Sequence, residues 1–202
     1  MQLCVVTDRR RTDVVAQARR AVDAGVDLIQ IRERDMEARD LAGLVERVLR
    51  IARGSATRVV VNDRLDVALA CGADGVHLRG DSIPVEAART IAPRPFLIGR
   101  SVHSVDEARA AAGADYLIAG TVFPSASKPT ATTWLGLAGL EQIVRAARPP
   151  VLAIGGIDLD RAAEIGGTGA AGIAAIALFA TESLGAVAAD ARRRFDSLKP
   201  RP

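Results

Sequence analysis

One phrase recurs four times along this chain and constrains its fold more than any other feature. Gly25-Val26-Asp27-Leu28-Ile29, Gly72-Ala73-Asp74-Gly75-Val76, Gly113-Ala114-Asp115-Tyr116-Leu117 and Gly169-Ala170-Ala171-Gly172-Ile173 each read as a glycine, a short turn and an apolar run. Glycine reaches the left-handed backbone conformation without a steric penalty, so it suits the residue just past a helix. Each phrase therefore marks a helix end followed by a buried strand. The phrases begin 47, 41 and 56 residues apart, a spacing that fits about two βα units each.

Four further apolar runs fall between the phrases: Leu3 to Asp8, Arg58 to Asp63, Leu97 to Ser101 and Val151 to Gly156. Helical stretches separate the runs, among them Asp13 to Ala24, Ala38 to Arg53, Val85 to Ile91, Val105 to Ala112, Leu137 to Ala147 and Leu184 to Leu198. Strands that alternate with helices imply a parallel sheet. Eight such units in 202 residues predict a single α/β domain over 1–202, a compact (β/α)8 TIM barrel. The alternative is a doubly wound open sheet. It usually needs fewer units, and no G-x-G-x-x-G follows the first strand.

Composition narrows the partners. The net charge of +3 is mild, and the arginines alternate with Asp and Glu as on solvated helix faces. No basic stretch is interleaved with aromatic residues, which argues against nucleic acid as a partner. There is no signal peptide and no apolar run of bilayer length, so no membrane partner is expected and a cytoplasmic location is the default. Cys4 and Cys71 stand alone in apolar runs and read as buried thiols, without disulfide or metal spacing.

In such a barrel the chemistry gathers at the C-terminal ends of the strands. Those ends are polar here: Thr7-Asp8, then Gln30-Ile31-Arg32-Glu33-Arg34, Asn62-Asp63, His77 to Ser82, Arg100 to His103, and Gly155-Gly156. Gln30, Arg32 and Arg34 share one side of the extended chain. Three polar side chains converging at a buried strand end are costly unless they bind something; a salt-bridge network involving Arg32 and Glu33 is the structural alternative. Asp63 can hold Mg²⁺ through one carboxylate while substrate phosphates supply further oxygens, or it can cap the helix beginning at Arg64. Gly155-Gly156 before a helix start at Asp158 suits a phosphate cradle or a simple tight turn. His77 reads as structural, and His103 is open to either role.

Lysine usage adds one more candidate. The chain has 25 arginines and only two lysines, Lys128 and Lys199. Lys128 lies in Phe123-Pro124-Ser125-Ala126-Ser127-Lys128-Pro129, a loop after the sixth strand. A compact ammonium meets a phosphate oxygen as a point charge, whereas arginine brings a wide planar fork.

Taken together and in this order, Gln30 to Arg34, Val61-Asn62-Asp63-Arg64, Gly72 to Leu78, Gly99 to Ser104, Val122 to Pro129 and Ala153 to Ile157 resemble the thiamine phosphate synthase and thiazole tautomerase superfamily. The resemblance spans essentially the whole chain. It implies a Mg²⁺-dependent transferase that joins hydroxymethylpyrimidine diphosphate to thiazole phosphate and releases pyrophosphate. Its partners are then small phosphorylated pyrimidine and thiazole substrates, with homo-oligomer formation left open. Matched by motif, Gln30, Arg32, Arg34 and Asn62 would contact the pyrimidine diphosphate. Asp63 would bind Mg²⁺, Ser101 would lie beside the pyrimidine, and Lys128 would hold the leaving pyrophosphate. Ser125 and Ser127 match hydroxyls that meet the thiazole substrate, and Gly156 would lend its backbone to the thiazole phosphate.

Three positions depart from the family pattern. Arg34 replaces a lysine. Arg79-Gly80-Asp81-Ser82 stands where the family has Gly-Gln-Glu/Asp-Asp, so Asp81 is expected to take over the second metal contact. Ala177 replaces a serine near the last strand. A metal-independent thiazole tautomerase is the alternative activity, with His103 as stand-in base, although Thr121 occupies the place of that branch's histidine. A non-catalytic paralogue that binds thiamine-related phosphates is the third reading.

Overall fold

The computed structural model describes residues 1–125 and 133–198. Eight parallel strands close into a barrel in sequence order, with β1 paired to both β2 and β8. The order is β1 (Gln2–Val6), α1 (Val14–Asp23), β2 (Leu28–Ile31), α2 (Ala38–Ala52), β3 (Arg58–Asn62), α3 (Leu65–Ala70), β4 (Gly75–Leu78) and α4 (Val85–Ile91). It continues with β5 (Leu97–Val102), α5 (Val105–Ala110), β6 (Tyr116–Gly120), α6 (Gly136–Ala146), β7 (Val151–Ile154), α7 (Leu159–Gly166), β8 (Gly172–Ala175), a 3₁₀ turn at Ala177–Phe179, and α8 (Leu184–Ser197). The barrel expectation holds. Among the described residues no helix is long and apolar enough to cross a membrane.

The alternation of each strand divides its side chains between two cores. Outward-facing Ile29, Val59, Val76, Ile98 and Leu117 pack under the helices with Leu44, Val48, Leu140 and Ile165. Inward-facing Cys4, Leu28, Val60, Ile118, Leu152 and Ala174 fill the ring. Cys71 departs from expectation: it is half-buried on the outer layer, whereas Cys4 is fully enclosed.

The recurring phrase has a structural meaning beyond its glycine. Gly25, Gly72 and Gly169 take positive φ values of 61°, 67° and 82°. Gly113 does not, because α5 stops at Ala110 and further turns intervene. The aspartate that follows is the more consistent element. Asp27 accepts the Leu3 N–H of β1 at 2.8 Å, Asp74 accepts the Val59 N–H of β3 at 2.8 Å, and Asp115 accepts the Ile98 N–H of β5 at 2.7 Å. Each carboxylate thus ties the start of an odd-numbered strand to the start of the next even one. Arginines balance the charges: Arg192 on Asp27, Arg58 on Asp74, and both Arg89 and Arg94 on Asp115. The fourth phrase has Ala171 in this place and lacks the clamp.

Asp115 is only 8 % exposed, against 44 % for Asp27. Asp115→Ala leaves a buried strand amide and two arginines without their acceptor. It is expected to lower stability by about 1.5–3 kcal/mol, and Asp27→Ala by less. Urea midpoints of the two variants check the order; equal losses would contradict the burial argument.

Candidate active site

Inward parity continues above the apolar filling and turns polar. Two residues beyond Leu28 stands Gln30, two beyond Val60 stands Asn62, and His77 and Ser101 hold the same register on β4 and β5. Gln30 is 2 % exposed, and its Nε2 has no hydrogen-bond partner. The side-chain amide of Asn62, also buried, makes no hydrogen bond to any described residue. Buried donors are almost always satisfied, so the Gln30 amide marks a place where the chain is incomplete by itself, with Asn62 beside it.

Glu33 and Arg32, adjacent in sequence, separate completely. Glu33 is buried on the outer side and accepts from Thr7 Oγ1 at 2.6 Å and from the Arg9 N–H at 3.2 and 3.1 Å. Thr7 Oγ1 in turn accepts the Arg32 N–H at 3.0 Å. Glu33 therefore ties the loop after β1 to the loop after β2, and it is structural. The guanidinium of Arg32 takes no part in that network. Neither Arg32 nor Arg34 makes a side-chain hydrogen bond or ion pair with a described residue. Burial first, and the neighbouring Arg34 second, push the Arg32 pKa below the usual guanidinium range; Arg79 adds to the repulsion. Asp8 and Glu33 oppose the shift, and Arg79 is ion-paired to Asp81, so Arg32 and Arg34 are the cations at the rim of β2 best placed to attract an anion.

Asp63 does not cap α3. The N-cap residue is Arg64, with no side-chain capping bond, and Asp63 itself has a positive φ of 63°. A non-glycine residue held in that region is strained and tends to occur at functional sites. Its carboxylate is turned toward the loop after β4: Ser82 Oγ donates to one oxygen, and Arg79 Nη1 lies 3.5 Å from the other. The Arg79 N–H donates to Ser82 Oγ at 3.0 Å. Asp81 is placed differently from expectation. It is 69 % exposed and ion-paired to Arg79, so Ser82, and not Asp81, is the oxygen donor next to Asp63. Arg100 braces this loop by donating to the carbonyls of Ile83 at 2.7 Å and Gly80 at 2.9 Å. A cavity of about 100 Å³ lies here, lined by Arg34, Asn62, Asp63 and Arg79 over Ile31 and Leu41.

His103 stands just before the N-cap of α5. Ser104 Oγ accepts the Glu107 N–H, and the Glu107 carboxylate accepts the His103 N–H at 2.7 Å and meets His103 Nδ1 at 3.1 Å. Ser104 thus caps α5, while the Glu107 carboxylate reaches one residue further back than in a capping box and meets the histidine proposed as a stand-in base. His77 lies inside the barrel, with Nε2 2.9 Å from Ser101 Oγ. The double glycine after β7 is required by packing. A Cβ on Gly155 would strike Thr121, and one on Gly156 would strike the Pro124 carbonyl. The φ values of 105° and 64° add the same restriction. The Gly156 N–H makes no hydrogen bond to a described residue. Ser125 is half-buried at the start of the loop after β6. Ser127 and Lys128 lie outside the described residues.

A protein-family model described as thiamine monophosphate synthase matches residues 3–179. The chain belongs to that family. A thiamine-phosphate synthase of Methanoregula boonei is 44% identical over 185 residues, covering 90% of this chain and 86% of the relative. One from Pyrococcus horikoshii is 40% identical over 187 residues, covering 91% and 89%. The solved structure of a thiamine phosphate pyrophosphorylase from Pyrococcus furiosus superposes with a TM-score of 0.87 at 38% identity, over 98% of this chain and 96% of that one.

Within this family frame, sequence reading overlooked Arg79 and Tyr116. Arg79 was visible as the departing residue of the strand-4 motif. Tyr116, the only tyrosine, gave no local signal, because its polar partner His77 is 39 residues away.

Burial, with Arg100 and Arg32 nearby, lowers the pKa of His77 to about 3, against an ordinary value of about 6.5. Between those values the unfolded chain binds a proton that the folded chain refuses. Stability therefore falls as pH drops through that window, by up to ~1.4 kcal/mol per pH unit. Urea unfolding at about pH 7 and about pH 4.5 tests this, with His77→Gln as the control. The wild type is expected to lose more stability than the variant; equal losses would remove His77 as the cause.

Proposed function

We propose that this protein joins hydroxymethylpyrimidine diphosphate to thiazole phosphate, forming thiamine phosphate and releasing pyrophosphate. The observation that carries this reading is the pair of guanidinium groups, Arg32 and Arg34, without a partner among the described residues, beside the unsatisfied amide of Gln30 and close to Asp63 at the end of the neighbouring strand. A diphosphate supplies the charge those groups lack. The names of the relatives, over most of their length, point to the same reaction.

The donor set near Asp63 fits Mg²⁺. The ion commonly takes one or two protein oxygens and completes its shell with water and substrate phosphates. Asp63 offers a carboxylate and Ser82 an adjacent hydroxyl, the same pair of donor types that serves in phosphate-binding loops. Among the described residues no group of three or more His, Cys, Asp or Glu side chains could form a cage alone, which agrees with a shell shared with substrate. When bound, the ion would neutralise charge developing on the leaving pyrophosphate.

The chain's own residues supply the rest. Arg32, Arg34 and Lys128 hold the diphosphate, and Gln30 and Asn62 fix the pyrimidine. The C–O bond to pyrophosphate breaks with its electron pair leaving on oxygen. The resulting pyrimidinylmethyl cation is captured by the thiazole nitrogen, which forms the new C–N bond. Positioning and charge stabilisation account for the catalysis. The Gly156 N–H, without an acceptor among the described residues, suits the thiazole phosphate, and Ser125 and Ser127 its neighbouring atoms.

Pyrophosphate release in the presence of both substrates, with and without Mg²⁺, tests the assignment. Lys128→Ala is expected to lower kcat/KM by about 10²-fold or more, the scale of losing a charge-stabilising donor. Asp63→Asn is expected to abolish the response to Mg²⁺. A wild-type metal response in that variant would remove Asp63 from the ligand set. Isomerisation of the thiazole phosphate without metal and without pyrophosphate release would favour the tautomerase.

A further inference from the structure

Ser101 stands at the end of a line of three side chains that begins deep in the barrel. The Tyr116 ring packs where a side chain on Gly99 would otherwise stand, since a Cβ on that glycine would strike the ring. Its hydroxyl lies 3.2 Å from His77 Nδ1, and the two rings stack with centroids 5.6 Å apart at 29°. On the opposite edge of the imidazole, Nε2 lies 2.9 Å from Ser101 Oγ. Tyr116 shares the inner apolar cluster with Cys4, Leu28, Val60 and Ile118, and the adjacent Asp115 carboxylate disfavours a phenolate. Among the described residues, His77 Nδ1 is the one hydrogen-bond partner of the Tyr116 hydroxyl, and His77 Nε2 that of Ser101 Oγ.

Those contacts determine the protons. A buried donor without an acceptor is costlier and rarer than an acceptor with an idle lone pair. The phenol O–H must therefore donate to Nδ1. A neutral imidazole carries one proton, which then sits on Nε2 and is donated to Ser101 Oγ. The serine oxygen is an acceptor from below, and its own hydrogen is left to point at the open end of the barrel.

We propose that Tyr116 and His77 are positioning residues that lock the imidazole in its Nε2–H tautomer and so present the Ser101 hydroxyl as an outward hydrogen-bond donor. It selects a substrate ring with an acceptor atom, such as an unprotonated ring nitrogen, at that point. This deepens, and for its substrate consequence rests on, the reading of the site as a pyrimidine diphosphate pocket. The environment favours permanence. Burial keeps the Tyr116 phenol protonated far above neutral pH, and burial with Arg100 and Arg32 keeps His77 neutral. His77 then serves neither as a general base nor as a proton shuttle.

The chain has only two histidines, so ¹⁵N-histidine labelling of the full wild-type protein resolves both. Two-bond nitrogen–proton couplings report the tautomer directly. His77 is expected as a single Nε2–H form that does not titrate between about pH 5 and about pH 8. An Nδ1–H form, or a midpoint near the ordinary value of about 6.5, would overturn the proposal. Kinetics provide the second arm. Tyr116→Phe and Ser101→Ala are each expected to raise KM for the pyrimidine diphosphate by on the order of 10-fold with a smaller change in kcat. The double variant is expected to show no further loss, as for residues acting through one contact. Additive losses in the double variant would equally sink it. The tautomer measurement needs no turnover, so failure of the proposed reaction and failure of the tautomer lock give different results.

Discussion

Closure of the eight strands is the constraint from which the rest of this structure follows. A ring of this size is just wide enough for side chains to fill it, and alternation sends every second residue inward. Cys4, Leu28, Val60 and Leu152 fill its lower part, while Gln30, Asn62, His77 and Ser101 ride above on the same parity. A one-residue slip of β4 would replace His77 by an aliphatic neighbour and bury the imidazole among the helices. No polar residue of the rim is positioned independently of the apolar plug beneath it.

The two ends of the barrel divide the work. At the bottom, Asp27, Asp74 and Asp115 satisfy strand amides and are themselves neutralised by arginine. At the top, Arg32 and Arg34 have no side-chain partner among the described residues, Gln30 has an orphan donor, and Asp63 is held at positive φ. Groups like these cost stability in the absence of ligand. The satisfied end helps the fold tolerate the unsatisfied one. Such a separation is expected where structure and chemistry occupy opposite faces of one sheet.

The fold was legible because its evidence is local. Glycine before an apolar run marks a helix-to-strand turn wherever it occurs, and eight such runs admit few architectures. Gln30, Arg32, Asn62 and Asp63 were legible as site candidates because strand ends in a barrel share one face. What could not be read depended on contacts across the ring. The phrase's aspartate looked like part of a turn, yet its partner amide lies 24 residues away for Asp27. The Ser104 cap with Glu107 three residues on was readable locally and would have predicted a Glu107 contact at the start of α5. The orientation of Asp63 toward Ser82, 19 residues on, required the closed ring. So did the separation of Glu33 from Arg32, which adjacency in sequence conceals.

Ala171 in the fourth phrase has one more implication. Three of the four odd–even strand junctions carry a carboxylate clamp, and the β7–β8 junction does not. Native proteins open in cooperative pieces whose cost varies across the structure. The wall between β7 and β8, whose upper end carries Gly155, Gly156 and the 3₁₀ turn, is joined at its lower end by the backbone alone, where the Ala171 N–H donates to the Val151 carbonyl at 2.8 Å. The proposed seat of the thiazole phosphate therefore stands on a junction without the side-chain tie. The proposed pyrimidine pocket stands on junctions that have it. One substrate would meet a preformed surface, and the other a wall able to yield on entry.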